Sequence, residues 1–374
     1  MISRQQALSI YRILHNLKQL GPITNKRGMA LLITLGVVTL LVAATVELNR
    51  QARATIFSSA AVRDRHRLTE MVASGVNAAM AMLVDDKKNS TADSMQEDWA
   101  DPEKVSSMLE AIPFEDGKLA VKISDERSRI QVNALVKFPE GHEFNENQRQ
   151  LWERLLRMAF LAYEHPDETD PVNTIINSLK DWLDAGDDDA ITGLSGAESD
   201  YYRDLDPPIS IRNGPLTHIK ELLQVKGITP ELFYGTDELP GLSDYLTVDG
   251  MSDQGGNFTF DGKININTAE IPVLMALLPE ENQDLGLAIS EFRLAKTSDT
   301  YNHDLSGSNW YKQVPGAGDI NIDSGLITNQ SDLFRIEASA SLNGVSLAAT
   351  VIVHRETESE TGLIHCRVLS WEQT

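Results

Sequence analysis

Met29 to Val46 is an apolar run of eighteen residues without a charge, and Lys26-Arg27-Gly28 stands directly before it. At about 1.5 Å per residue a helix over this run covers roughly 27 Å, close to the hydrocarbon thickness of a bilayer. The segment ahead of it carries Arg4, Arg12, Lys18, Lys26 and Arg27 and neither Asp nor Glu. Positive flanks stay cytoplasmic, so the sequence predicts an N-terminus inside and everything after about residue 50 outside. An ordinary secretory signal has a shorter apolar core and a small-residue cleavage site, whereas Ala43-Ala44 leads into more helical sequence. From Glu47 to Val84 there is no proline and only Gly75. Val72, Val76, Ala79, Met80 and Leu83 share one helical face. The spacing predicts one amphipathic rod over Met29–Val84, about 84 Å long if helical throughout. A plain single-pass anchor with a stalk satisfies the same pattern.

Charge bounds the partners of the rest. Removing the five N-terminal cations leaves 28 Lys and Arg against 55 Asp and Glu, a formal −27 for residues 29–374. Such a body repels nucleic-acid phosphates and suits divalent cations or basic partners. Cys366 is the sole cysteine, which excludes an intrachain disulfide, and its apolar neighbours predict a small buried hydrophobe.

Leu119–Ile123 and Arg129–Val132 read as two short strands, with Ser124–Ser128 as the polar link of a hairpin. Phe334, Ile336, Ala338, Ala340 and Leu342 alternate with mostly polar residues up to Asn343-Gly344, and Val345, Leu347, Ala349, Val351 and Val353 resume the alternation. Asn-Gly favours a type I′ turn, which pairs Leu342 with Val345 and Phe334 with Val353. Leu363–Leu369 adds a strand, giving an antiparallel sheet with one face free to pack on the C-terminal half of the rod. Between the strand regions, helices are predicted over Glu146–Tyr163, Val172–Ala185, Leu216–Val225 and Glu270–Leu278, the last capped near Thr268. The predicted fold is α+β, with a large mainly helical insertion interrupting a small antiparallel sheet. The boundaries are a cytoplasmic segment 1–28, the rod 29–84, sheet regions 85–133 and 327–374, and the insertion 134–326.

Within the insertion, Asp181, Asp184, Asp187, Asp188, Asp189, Glu198, Asp200, Asp204 and Asp206 stand against one cation, Arg203. Such a segment either stays solvated or collects a hard cation. Ca²⁺ takes carboxylate and carbonyl oxygens in irregular loops. Gly193 and Gly196 let the backbone bend. Trp182 and Leu183 at one end and Tyr201-Tyr202 at the other anchor the segment to a core, which makes free repulsion costly and favours neutralisation by metal. This is not an EF-hand loop. The eight histidines are scattered without zinc spacing, and neither a nucleophile elbow nor a phosphate loop occurs; catalysis is not expected. Leu223–Thr229 and Ile264–Ala269 resemble pieces of helix-hairpin-helix modules, but the second glycine is missing at Thr229 and the field is negative. No nucleic acid is expected.

The Lys-Arg-Gly28 end with Met29-Ala30-Leu31-Leu32, Asp181-Trp182-Leu183-Asp184, Gly196 to Tyr202 and Lys263 to Ala269 occur in this order. With them the chain resembles protein K of bacterial type II secretion systems, the GspK family of large minor pseudopilins. The resemblance implies cleavage by prepilin peptidase after Gly28, N-methylation of Met29, a pilin-like fold with a helical insertion, and structural Ca²⁺ there. It does not single out the ligands; Asp184, Asp187, Asp188, Glu198 and Asp200 are the candidates. It also implies a single pass through the inner membrane, a periplasmic bulk, and GspI-, GspJ- and GspH-type minor pseudopilins and the major pseudopilin as partners. Counting from Met29, the fifth residue is Ile33, where most pseudopilins have a glutamate that pairs with a neighbouring N-terminal amine. A buried carboxylate is costly without its partner, and a subunit at the tip has none above it. The expected function is to cap and help initiate the periplasmic pseudopilus. A minor pilin of a type IV pilus and a periplasmic nucleic-acid-binding protein are the alternatives.

Overall fold

A computed structural model of the chain describes residues 26–112, 114, 116–162, 170–186 and 191–374. Two compact units divide between Arg67 and Leu68. Helix α1 runs over Lys26–Asn89, so the helical rod continues beyond Val84 and Lys26–Gly28 already belong to it.

In the first unit the apolar run lies exposed. Leu31 is 73% and Leu40 70% accessible, and the helix is long and apolar enough to cross a membrane. The threonines do not spoil that character, because Thr34 and Thr39 donate to the carbonyls of Leu31 and Gly36 at 2.9 Å. A hydroxyl so engaged carries little desolvation cost.

In the second unit four strands form an antiparallel sheet among the described residues: β1 (Lys118–Asp125), β2 (Leu333–Leu342), β3 (Val345–Thr357) and β4 (Ile364–Gln373), in that spatial order. The β2–β3 hairpin has the predicted register, Leu342 opposite Val345 and Phe334 opposite Val353. Asn343 and Gly344 take φ of 52° and 80°, as a type I′ turn requires. The period-2 pattern puts Phe334, Ile336, Ala338, Leu347, Val351 and Val353 on one face, where they bury against Leu68, Met71, Val72, Val76, Ala79 and Leu83 of α1. Gly75 permits the close approach: a Cβ there would stand 2.8 Å from Val121 Cγ2. Trp99 closes the layer edge-on to Phe334, with ring centroids 5.3 Å apart. Helix α2 (Pro102–Glu110) also belongs to this part.

The insertion leaves the sheet after β1 and returns at β2, and it has its own apolar core from Ile130 to Ile327. It contains α3 (Glu146–Ala162), α4 (Pro171–Leu183), α5 (Ser199–Arg203), α6 (Pro230–Tyr234), α7 (Ile271–Leu277) and α8 (Leu285–Leu294).

Three local expectations are corrected. Leu119–Ile123 and Arg129–Val132 do not form a hairpin: β1 pairs with β2, and Ile130-Gln131 pairs in parallel with Leu246-Thr247. The polar link is a charge hub instead of a turn. Buried Glu126 accepts from Arg335 at 2.7 and 2.8 Å and from Arg129 at 2.7 Å, while Arg127 donates to Asp332 at 2.6 Å. These bonds fasten the exit of β1 to the entry of β2 and send Ile130 and Val132 into the insertion core. Leu216–Val225 supplies only a 3₁₀ helix over Ile219–Gln224. The cap of α7 is Glu270, not Thr268; Thr268 Oγ1 donates to the buried carboxylate of Asp125 at 2.7 Å. Cys366 is half-buried on β4, and burial pushes its thiol up to about 11.

Candidate functional site: a carboxylate cluster in the insertion

Helix α4 starts at Asp170, whose side chain accepts from Asn173 N, with Pro171 in the first turn. There proline costs no hydrogen bond. Its amphipathic face buries Ile175, Ile176, Leu179, Trp182 and Leu183. That burial fixes the phase of the last turn and delivers Asp181 inward and Asp184 one turn-face over, three residues apart. The chain returns through Ile191–Glu198 and enters α5, which has Glu198 at its N-cap.

Asp181 organises the return. It is fully buried and accepts from Thr192 N at 3.1 and 3.2 Å and from Ala197 N at 2.8 Å. Only a glycine fits between those contacts: a Cβ at Gly196 would sit 2.1 Å from Asp181 Oδ2 and 2.8 Å from Thr192 O. Gly193, at φ 62°, makes the left-handed bend. The aromatic anchors meet, with Trp182 edge-on to Tyr202 at 5.0 Å. Burial raises the Tyr202 hydroxyl above its ordinary range, and that hydroxyl accepts from Lys226 N at 3.3 Å.

The result is a cluster in which Asp181, Asp184 and Glu198 each offer a carboxylate oxygen within 4.8 Å of the others. Asp181 and Glu198 are buried and Asp184 is partly so. Burial raises the Asp184 carboxyl, while Lys180, whose Nζ lies 2.7 Å away, acts in the opposite sense. Lys226 Nζ donates to the carbonyls of Ser195 and Gly196 at 3.1 and 3.3 Å and lies over the Tyr201 ring. The lysine of the helix-hairpin-helix-like segment is thus engaged by the acidic loop.

Of the acids singled out from sequence, the fold brings Asp184 and Glu198 together. Asp200 is not in the cluster; it is exposed and pairs with Arg203. Asp187 and Asp188 lie outside the described residues. Asp181 is not among the acids singled out as candidate ligands from sequence; its spacing of three from Asp184 on a helix with a clear apolar face is the signal that finds it. Among processing residues, Gly28 is helical with open space around it, and Met29 and Ile33 are exposed on α1.

A second carboxylate group, invisible in the sequence, gathers Asp86, Asp93 and Glu97. Arg355 of β3 holds it, donating to Asp86 at 2.9 Å, to Asp93, and to the carbonyls of Leu83 and Ser331 at 3.0 and 2.9 Å. Burial, reinforced by Glu97, pushes Asp86 up to about 7. This is a latch between the end of α1 and the sheet.

The family model for type II secretion system protein K matches residues 128–235, which contain the first cluster. The putative type II secretion system protein K of Escherichia coli K12 is 26% identical over 211 residues, 56% of this chain and 60% of the relative. Protein K of Pectobacterium carotovorum is 26% identical over 272 residues, covering 69% and 72%, and that of Aeromonas hydrophila 24% over 208, covering 55% and 60%. The match therefore spans less than two thirds of the Escherichia and Aeromonas relatives. In fold, the chain is similar to a chain of the crystallised GspK-GspI-GspJ complex from the type 2 secretion system of enterotoxigenic Escherichia coli. The TM-score is 0.60 at 18% identity, with 84% of this chain and 99% of that chain covered. In the matched segment and in fold, the chain is therefore similar to protein K of type II secretion systems.

Proposed function

We propose that the protein is a minor pseudopilin that caps the tip of the type II secretion pseudopilus and helps to initiate it. The observation that carries this reading is the architecture itself: an apolar helix long enough to span a membrane, whose Leu68–Leu83 stretch packs on a small sheet interrupted by a bulky insertion. Exposed apolar residues along α1 supply a surface for lateral association with other helices of the same kind, and the insertion supplies bulk that blocks stacking above. The work is mechanical, and no chemical step is assigned to any residue.

In this reading the chain enters the inner membrane with its N-terminus cytoplasmic. Prepilin peptidase cuts after Gly28, and Met29 becomes the methylated N-terminus. GspI-, GspJ- and GspH-type subunits and the major pseudopilin are its partners; the first two stand beside GspK in the named complex. Ile33 is compatible with a position that has no subunit above it, because an apolar residue there leaves no carboxylate without an amine.

The donor chemistry of the insertion cluster fits a hard cation. Asp181, Asp184 and Glu198 converge, and one ammonium, Lys180, stands 2.7 Å from Asp184. Buried carboxylates in excess of their counter-charges cost several kcal/mol, and Ca²⁺ would offset that cost with oxygen ligands only. Held by these three residues, the ion would tie the end of α4 to the start of α5.

Deleting the coding gene in the source bacterium tests the reading. Folded exoproteins should accumulate in the periplasm, and the intact chain, but not a Gly28→Val variant, should restore their export. Unchanged secretion with a loss of surface pili would favour the type IV pilus instead.

A further inference from the structure

A cleft of about 460 Å³ opens beside the outer edge of β1, between the start of α2 and the α7–α8 region. Lys122, Ser124, Ser128, Arg129, Glu270 and Arg293 contribute its polar wall. Arg293, in the last turn of α8, is the unusual member. It is 5% exposed, and its guanidinium makes one hydrogen bond among the described residues, from Nη1 to the carbonyl of Ile266 at 3.0 Å. Its Nε is buried without a partner. Burial pulls its pKa down to about 10, and exposed Glu270 is the acid that opposes this.

Arg154 likewise bonds only to carbonyls, those of Ala276 and Leu277, but it is half-buried; four other guanidiniums in this unit have acids. Arg355 has two carboxylates and two carbonyls. Arg335 and Arg129 share Glu126, and Arg127 has Asp332. In a chain of net charge −22 acids are abundant, yet none forms an ion pair with Arg293 among the described residues. A buried cation left with one neutral acceptor carries an uncompensated desolvation penalty, and it stands on the wall of a cleft large enough for a counter-ion. Two acids also line that wall, which limits the charge a ligand can bring. Glu270 is exposed, and Asp125 is already engaged by Asn265 and Thr268 at 2.7 Å. A planar mono-anion matches the guanidinium fork, whereas a phosphate dianion would meet more repulsion.

We propose that this cleft binds a carboxylate group, with Arg293 as the charge it meets. The carboxylate comes either from an acidic side chain of another polypeptide or from a free organic acid.

The test is thermal unfolding of the full chain in detergent micelles. Sodium acetate is titrated against sodium chloride at equal ionic strength, and in parallel an acetylated, amidated peptide with one glutamate among alanines. The expected result is a saturable rise in Tm with acetate, about 2–3 °C at tenfold over Kd, lost in Arg293→Met. In Glu270→Gln, which removes exposed competing charge, the same rise should come at about threefold lower acetate. Saturation by the peptide at tenfold lower concentration than acetate assigns a polypeptide source; equal concentrations assign a free acid. A chloride response equal to that of acetate, or an acetate response retained by Arg293→Met, overturns the proposal. If Arg293→Met does not fold, an unchanged acetate midpoint in Glu270→Gln overturns it.

Discussion

Asp181 and Gly196 act as one unit: the carboxylate needs two backbone donors from the returning loop, and those donors reach it only because no side chain stands at Gly196. Gly196→Ala forces a displacement of backbone or carboxylate and should lower stability by about 1–3 kcal/mol, read as a shift in the urea midpoint; an unshifted midpoint would contradict the packing described. Asp86 offers a second prediction. Its pKa stands near 7 in the folded chain against about 4 when unfolded. A folded-state value raised above the unfolded one gives stability that is complete below about pH 4 and is lost as pH rises through the folded value. Asp125 and Asp249, both raised to about 6, act in the same sense. Asp86→Asn should therefore flatten the fall in unfolding free energy between pH 4 and 7, measured by urea titration at stepped pH; an unaltered slope would remove Asp86 as its source. None of this was legible from composition. Asp181 looked like one acid among nine, and the Arg355 latch joins residues separated by more than 260 positions, which no local pattern reports.

At the scale of elements, periodicity carried far where one face is buried against one layer. The β2–β3 register, its Asn-Gly turn and the apolar stripe of α1 follow from side-chain spacing alone, since a one-residue slip would turn every apolar residue outward. At Leu119–Val132 two short apolar stretches resemble a hairpin in sequence, but they pair elsewhere. There Glu126, Arg127 and Arg129 look like turn residues in sequence but bond to Arg335, Asp332 and each other across the fold. Long-range ion pairs won over local turn propensity. The α4–α5 junction gives a prediction at this scale, for the full chain in detergent. Ca²⁺ at a hundredfold excess over its Kd should stabilise by about 2.7 kcal/mol, seen as a higher Tm that a chelator reverses. Asp181→Asn should abolish the response, and an intact chain indifferent to chelator would eliminate the metal.

For the whole molecule, the proposed function makes the apolar helix, the small sheet and the bulky acidic insertion parts of a filament cap. In that proposal the exposed apolar run of α1 is where neighbours associate, and Ile33 suits a position that asks for no partner amine. Placement is therefore the most direct test. Pseudopili sheared from cells whose copy of this subunit carries a C-terminal epitope can be labelled with gold and viewed by electron microscopy. The account predicts a single label at one end of each filament, kept when Ile33→Glu is introduced only if the missing charge is incidental to capping. Labels distributed along the shaft of the unaltered filament would contradict it.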